Sequence, residues 1–359
     1  MSPTRNRTSA IVPRFSPEQA RDLAARHYDL RVTACELPSY IDQNFHLLDA
    51  AGAEYVLKIS NTAEDPGFLE AQVSALEFLQ AKPGRLETPR AVPSSAGEHV
   101  GREGAHALWL VTYLQGMPLA EVSERPEGLH RDLGRGLGDL DRRLAGFDHP
   151  AARRICHWDL RNAPGVVPFT DHISDATGRK TVRSSLGRFE TWVLPAVDRL
   201  PFQVIHNDAN DYNILTCEDR AVVRISGLLD FGDMVWTARA CEPAIAMMYP
   251  MMTADDPLVA AAEVLAGYHE SQALERAEIR LIPHLIEARL CVSVTMSSYQ
   301  RRLDPDNAYL SVSEAPAWRL LDWMSATPPA RWVETFEDAC ASVRPIEGNA
   351  SPERATDEA

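Results

Sequence analysis

The sequence predicts an α+β fold of two lobes, a strand-rich N-lobe over residues 15–116 and a helical C-lobe over 117–345. Three observations carry this. Residues 45–60, "FHLLDAAGAEYVLKIS", read as two strands joined by an Ala-Gly turn, and 107–119 as a further, buried strand. From about residue 126 onward, apolar residues recur at helical spacing over 127–147, 184–199, 256–276, 277–303 and 314–324. Between those helices, 204–216 and 222–234 have strand-like apolar ends enclosing polar groups. A chain of 359 residues is long enough to bury two such lobes with a cleft between them.

The elements follow in order. "SPEQARDLAARHY" (16–28) opens with a Ser cap and a Pro one residue in, then carries apolar residues at helical spacing. After the hairpin, "DPGFLEAQVSALEFLQ" (65–80) is a helix with Phe68, Leu69, Val73, Leu76 and Leu79 as its apolar stripe. "ALWLVTYLQGMPL" (107–119) is a buried strand ending at a Gly-Met-Pro break. Residues 1–14 and 346–359 read as flexible tails, the second by composition. No internal repeat interrupts this order.

Composition narrows the function. Hydrophobic content of 45% and charged content of 24% describe a globular chain. A net charge of −15 repels a polyphosphate backbone, which disfavours nucleic acid and suits a cationic small substrate. The longest apolar stretch, "PAIAMMYPMM", is too short to span a bilayer and contains Pro250, so no membrane partner is expected. Six scattered cysteines without a C-x-x-C pair point to reduced thiols in a cytoplasmic protein.

The chemistry lies in "VIHNDANDYNILT" (204–216) and "LLDFGDM" (228–234). In phosphoryl-transfer sites of the kinase type, a strand Lys holds the nucleotide phosphates and a Glu on the next helix orients it. Lys58 and Glu70 occupy those positions. An H-x-D loop then supplies the Asp that accepts the substrate hydroxyl proton, and an Asn five residues on binds Mg²⁺. Asp208 and Asn213 have that spacing, with His206 as an orienting residue. Asp230 opens an Asp-Phe-Gly tripeptide as the main metal ligand. No Gly-rich loop precedes Lys58, so Ser39, Gln43 and Asn44 of "LPSYIDQNF" are expected over the phosphates. Backbone groups of Thr112, Tyr113 and Leu114 are expected along the base edge. The stretch after Asp-Phe-Gly leaves little room for an activation segment, so no protein substrate is expected.

With "LPSYIDQNFHL", "YVLKISNT", "LVTYLQGMPLAEV", "WDLRN", "HNDANDYNIL", "SGLLDFGDM", "EPAIAMMYPMM" and "VLAGY" together, the chain resembles the aminoglycoside phosphotransferase/choline kinase superfamily, and within it the hydroxylysine kinases. The resemblance covers roughly residues 15–325. It implies a two-lobed protein-kinase-like fold, Mg²⁺, GTP as donor with ATP as the alternative, and 5-hydroxylysine or a similar amino alcohol as acceptor. It departs at Asn207, where the family usually has Gly; Asn tolerates left-handed backbone angles.

An acceptor with two ammonium groups and a carboxylate needs acids and a cation. Asp159, Glu242 and Glu287 are candidate amine partners, Trp158 offers a ring face, and Arg289 and Arg302 are candidate carboxylate partners. Homoserine, ethanolamine or choline, or an aminoglycoside are alternative acceptors. A nucleotide-binding pseudokinase module is a further alternative, against which the intact set Lys58, Asp208, Asn213 and Asp230 stands.

Overall fold

Strand alternation gives one sheet two different surfaces. In the computed structural model, which describes residues 11–39, 42–219, 222–303 and 314–346, β1 (Val32–Leu37), β2 (Gln43–Asp49), β3 (Glu54–Ile59), β4 (Ala91–Val92), β5 (Val100–Glu103) and β6 (His106–Thr112) form an antiparallel sheet. Successive side chains point to opposite faces. Phe45, Leu47, Leu57, Ile59, Leu108 and Leu110 form one face, buried against Ala20, Leu23, Ala24 and Tyr28 of helix α1 (Pro17–Tyr28). Asn44, Lys58 and Trp109, one position out of step and opposite one another in the register, belong to the other face.

The helices start where the sequence signals them. Ser16 and Gln19 close a capping box on α1, and Asp65 caps α2 (Pro66–Gln80) through the Gly67 N–H at 3.1 Å. All five residues of the expected α2 stripe are buried, in the larger core that continues into the helical lobe. Gly52, at φ +88°, makes the turn between β2 and β3.

The second lobe begins with β7 (Met117–Pro118) and α3 (Leu129–Leu144). Short 3₁₀ turns over Leu160–His172 lead to α4 (Ala176–Arg188), a π turn and α5 (Leu194–Val197). Next come β8 (Phe202–Ile205), β9 (Ile214–Asp219), β10 (Val222–Leu228) and β11 (Val235–Ala238). Helices α6 (Cys241–Thr253), α7 (Pro257–Ser271), α8 (Arg276–Leu303), α9 (Glu314–Ala326) and α10 (Pro329–Ala341) complete it. Helices α3 and α7 meet backbone to backbone: a Cβ on Gly134 would lie 1.9 Å from the Val264 carbonyl oxygen, and one on Gly267 2.0 Å from that of Arg131. Only glycine permits that approach.

The structure adjusts several expectations. The strand placed over 107–119 ends at Thr112, and its Met117–Pro118 end joins β9 instead. The helix placed at 184–199 starts eight residues earlier, where Asp175 caps it through the Gly178 N–H. The expected tails lie largely outside the described residues, as do Tyr40 and Ile41 of "LPSYIDQNF". All six cysteines are free thiols, and no described helix is long and apolar enough to cross a membrane.

Candidate active site

Strand pairing brings the two polar stretches together. β8 pairs with β11 and β9 with β10, so the loop 206–213 and the turn 229–234 begin and end on neighbouring strands. The Leu229 N–H donates to the Asn213 carbonyl at 2.8 Å. Fully buried His206 donates from Nε2 to the Leu229 carbonyl at 2.8 Å and accepts the Asp208 N–H at Nδ1, 3.3 Å away. Accepting at Nδ1 assigns the proton to Nε2. Its ring packs edge-on against Phe231. With both nitrogens engaged by backbone, the imidazole orients the loop.

Asn207 sits at φ +69° and Asp230 at φ +55°, two of the three non-glycine residues with positive φ among those described. Left-handed backbone is unfavourable for most side chains and persists where the surroundings impose it. Asn207 is imposed upon from both sides: its N–H donates to Glu242 Oε2 at 2.8 Å and its Nδ2 to the Asp233 carbonyl at 3.1 Å. Asn207 therefore also ties the loop to the turn.

Asp208 is held at both oxygens. Oδ1 accepts from Arg289 Nη2 at 3.0 Å; Oδ2 accepts from Asn210 Nδ2 at 2.8 Å and Asn213 Nδ2 at 2.9 Å. Burial pushes its pKa up to about 8, with Asp233 and Asp230 adding to the rise and Arg289 opposing it. Its side chain is still 22% exposed. A carboxylate both reachable and more basic than usual is suited to accept a hydroxyl proton.

Lys58 crosses to the other lobe: its Nζ lies 3.0 Å from Asp230 Oδ1 and 5.3 Å from the Trp109 ring centroid. The Lys58 ammonium holds the Asp230 carboxyl below its ordinary pKa. Asn44, opposite Lys58 in the register, buries an Oδ1 with no hydrogen-bond partner among the described residues. Asn213 Oδ1 and Asp230 Oδ2 accept no hydrogen bond from the described residues, since Asn213 turns its Nδ2 to Asp208 and Asp230 uses Oδ1 for Lys58 and the Gly232 N–H. These are hard oxygen donors of the kind Mg²⁺ takes, and a pair of them suits a cation held otherwise by phosphates and water.

The structure places the other residues assigned from motif order as follows. Glu70 is exposed on α2, and the ammonium that motif order gives it to orient bonds Asp230 instead. The exposed Ser39 hydroxyl bonds the Asp42 carbonyl, while Gln43 bonds Phe15 and Glu36, tying down the approach to α1. Thr112 and Tyr113 spend their N–H groups on the Arg90 and Glu54 carbonyls, at 2.9 and 3.0 Å. Leu114, next along, makes no such bond with the described residues.

The acidic candidates for amine binding each make bonds within the chain, although Glu242 Oε1 is buried with no partner among the described residues. Asp159, 2% exposed, caps the 3₁₀ segment and accepts from Arg161 N–H, Asn162 Nδ2 and Thr237 Oγ1. Glu242, 0% exposed, braces Asn207. Burial raises the pKa of both carboxyls. Glu287 pairs with Arg188 at 2.8 Å, and Arg302 is exposed near the end of α8. A face of Trp158 is covered by the Arg289 guanidinium at 4.5 Å. Sequence reasoning missed Asn210, although it stands inside "HNDANDYNIL", and Arg154, which donates to the Gly232 carbonyl at 2.6 Å and stacks on Phe68. Nothing local marks Arg154.

A strand-held lysine over a carboxylate turn, with a second, basic carboxylate beside it, is the arrangement of a phosphotransferase. The profile of the phosphotransferase enzyme family matches residues 33–282, and the chain belongs to that family. It is similar along its length to the hydroxylysine kinase of Bos taurus, 31% identical over 342 residues, 87% of this chain and 90% of that one. It is 30% identical to a homoserine kinase of Methylorubrum populi over 252 residues, 68% of this chain and 73% of that one. Its fold is that of the amicoumacin kinase hAmiN, solved in complex with AMP-PNP and Ca²⁺, with TM-score 0.67 at 16% identity over 88% of this chain and 95% of that one. The expected protein-kinase-like fold is thus the one observed, and the protein is a small-molecule phosphotransferase acting on an alcohol group.

Proposed function

We propose that this enzyme transfers the γ-phosphate of a nucleoside triphosphate, with Mg²⁺, to the hydroxyl of 5-hydroxylysine. The observation that carries the reading is the 3.0 Å bond from Lys58 to Asp230, 172 residues away, beside the basic carboxylate of Asp208. Similarity of about 30% to hydroxylysine kinases over some nine-tenths of both chains supports the acceptor. Lys58 holds the phosphates, with Asn44 beside it. Asn213 and Asp230 hold Mg²⁺, which when bound neutralises phosphate charge. Asp208 accepts the hydroxyl proton, kept in orientation by Asn210, Asn213 and His206. Homoserine is the second acceptor to test, on the strength of the homoserine kinase relative.

GTP is the favoured donor, with the Leu114 N–H left for the base edge. Adenine presents a donor amine where guanine presents an acceptor carbonyl, so a hinge built for one leaves a buried group unpaired against the other. Free thiols suit a reducing, cytoplasmic location. The test is nucleoside-diphosphate release with GTP and with ATP across 5-hydroxylysine, homoserine, ethanolamine and an aminoglycoside. Highest kcat/KM with 5-hydroxylysine and loss of turnover in EDTA and in Asp230→Asn are expected. Release with none of the acceptors would leave the pseudokinase reading.

A further inference from the structure

We infer that Arg289 receives the acceptor's carboxylate, so that this enzyme selects hydroxy amino acids over amino alcohols lacking the acid group. The inference rests on the kinase reading and names what that site recognises. Arg289 comes from the middle of α8 and is 2% exposed. One nitrogen, Nη2, reaches Asp208; Nε and Nη1 are buried without a hydrogen-bond partner among the described residues. The Tyr249 hydroxyl is near enough to interact with the guanidinium through charge and a loose side-chain hydrogen bond, but it makes no bond of good geometry to Nε or Nη1. Guanidinium N–H groups shut away from water are costly unless bonded, so native proteins rarely leave them so.

The chemistry of the missing partner is constrained. Guanidinium donates and never accepts, and its charge repels an ammonium group. A carboxylate meets one edge of the planar fork, Nη2 with either Nε or Nη1, through two charge-assisted bonds. Trp158, 4.5 Å from the guanidinium carbon, fixes the plane of that fork. Phosphate has the same donor-seeking oxygens, but position separates the two sources. Asp208 divides the site: Oδ2 faces Asn210 and Asn213, on the metal side, whereas Oδ1 faces Arg289. A carboxylate arriving on Arg289 shares Nη2, and the guanidinium's charge, with Asp208. Binding the correct acceptor thereby loosens the hold on Oδ1, the oxygen then available to the hydroxyl.

Two pairs of compounds separate recognition from turnover. Lysine and lysinamide lack the hydroxyl and differ in the acid group; calorimetric titration of the full chain should find lysine bound at least about tenfold tighter. Arg289→Lys keeps a cation beside Asp208 but loses the fork. It should reduce that preference to about threefold or less while nucleotide affinity holds. In nucleoside-diphosphate release, 5-hydroxylysine should exceed its decarboxylated analogue 1,5-diaminopentan-2-ol by about tenfold or more in kcat/KM, and the variant should narrow the gap. Equal binding of lysine and lysinamide by the unaltered protein overturns the inference without recourse to any variant. So does a lysine preference that survives in Arg289→Lys, or a fall in nucleotide affinity instead. Turnover of both hydroxylated compounds at equal kcat/KM ends the inference and keeps the kinase reading. Arg289-dependent lysine binding with no turnover of any acceptor ends the kinase reading and keeps the carboxylate site.

Discussion

Among the described residues of the helical lobe, two buried arginines each meet a carboxylate, and the two pairs are built to different ends. Arg239 meets Glu278 with two parallel bonds, Nε to Oε1 at 2.8 Å and Nη2 to Oε2 at 2.7 Å. The Ala273 carbonyl takes a further bond from Nη2, and Glu278 accepts the Glu275 N–H. That pair joins the start of α6 to the start of α8 and is complete. Arg289 and Asp208 share one bond and leave two guanidinium nitrogens unmet among the described residues. Burial alone does not mark function, since both arginines are nearly inaccessible. What separates scaffold from site is whether the donors are satisfied within the chain.

Breaking the site should cost activity. Asp208→Asn preserves shape and an acceptor for Arg289 but removes the base, so kcat should fall by about 10²–10⁴-fold with nucleotide affinity nearly unchanged. Steady-state kinetics with nucleotide titration checks this, and wild-type turnover would remove Asp208 from its role. Breaking the scaffold should cost stability. Glu278→Ala strands Arg239 at 7% side-chain exposure, and loss of one member of a buried pair costs about 3–5 kcal/mol. The denaturant midpoint should fall sharply, while molecules still folded at low temperature retain activity.

A pH series sharpens the scaffold side. Asp141 lies within reach of the charges of Arg239, Glu278 and Glu242, and burial raises its pKa well above the ordinary value, Glu242 adding to the rise. Its stabilising contribution is complete below the unfolded carboxyl's pKa, near 4, and is lost as pH climbs toward the folded value. Across that window the group costs about 1.4 kcal/mol of stability per pH unit. Asp141→Asn can still accept from Tyr268 and does not ionise. The variant should therefore gain on the wild type as pH rises from 4, read from urea midpoints, and a constant gap would show that Asp141 is ionised in the fold. The smallest effect is expected at Asn207. Asn207→Gly relieves φ +69° but loses the bond to the Asp233 carbonyl, so stability should shift by no more than about 1 kcal/mol. Asn207→Val should cost more, having the strain without the bond.

Much of the fold is legible from local signals. The hairpin, the α2 stripe and both capped helix starts follow from periodicity and caps that act within a few residues. The acidic candidates show where this stops. Asp159 in "WDLRN" is readable as a cap, because an Asp side chain bonds the N–H two or three residues on, here Arg161. Glu242 bonds Asn207 across 35 residues, and no spacing rule reaches that far. Motif membership indicates that both acids have a task, not which way each faces.

The sequence by itself determined the alternating strands, the helix starts and the order of chemical groups, because those depend on neighbours along the chain. It also determined that Asn207 could take a left-handed turn. Only the tertiary structure decided that Lys58 meets Asp230 and not Glu70, because that choice depends on how the N-terminal sheet lies over a turn 172 residues away. The same holds for Arg289: whether a buried guanidinium is filled or waiting is set by every element packed around it. Among the described residues, two of its nitrogens are waiting.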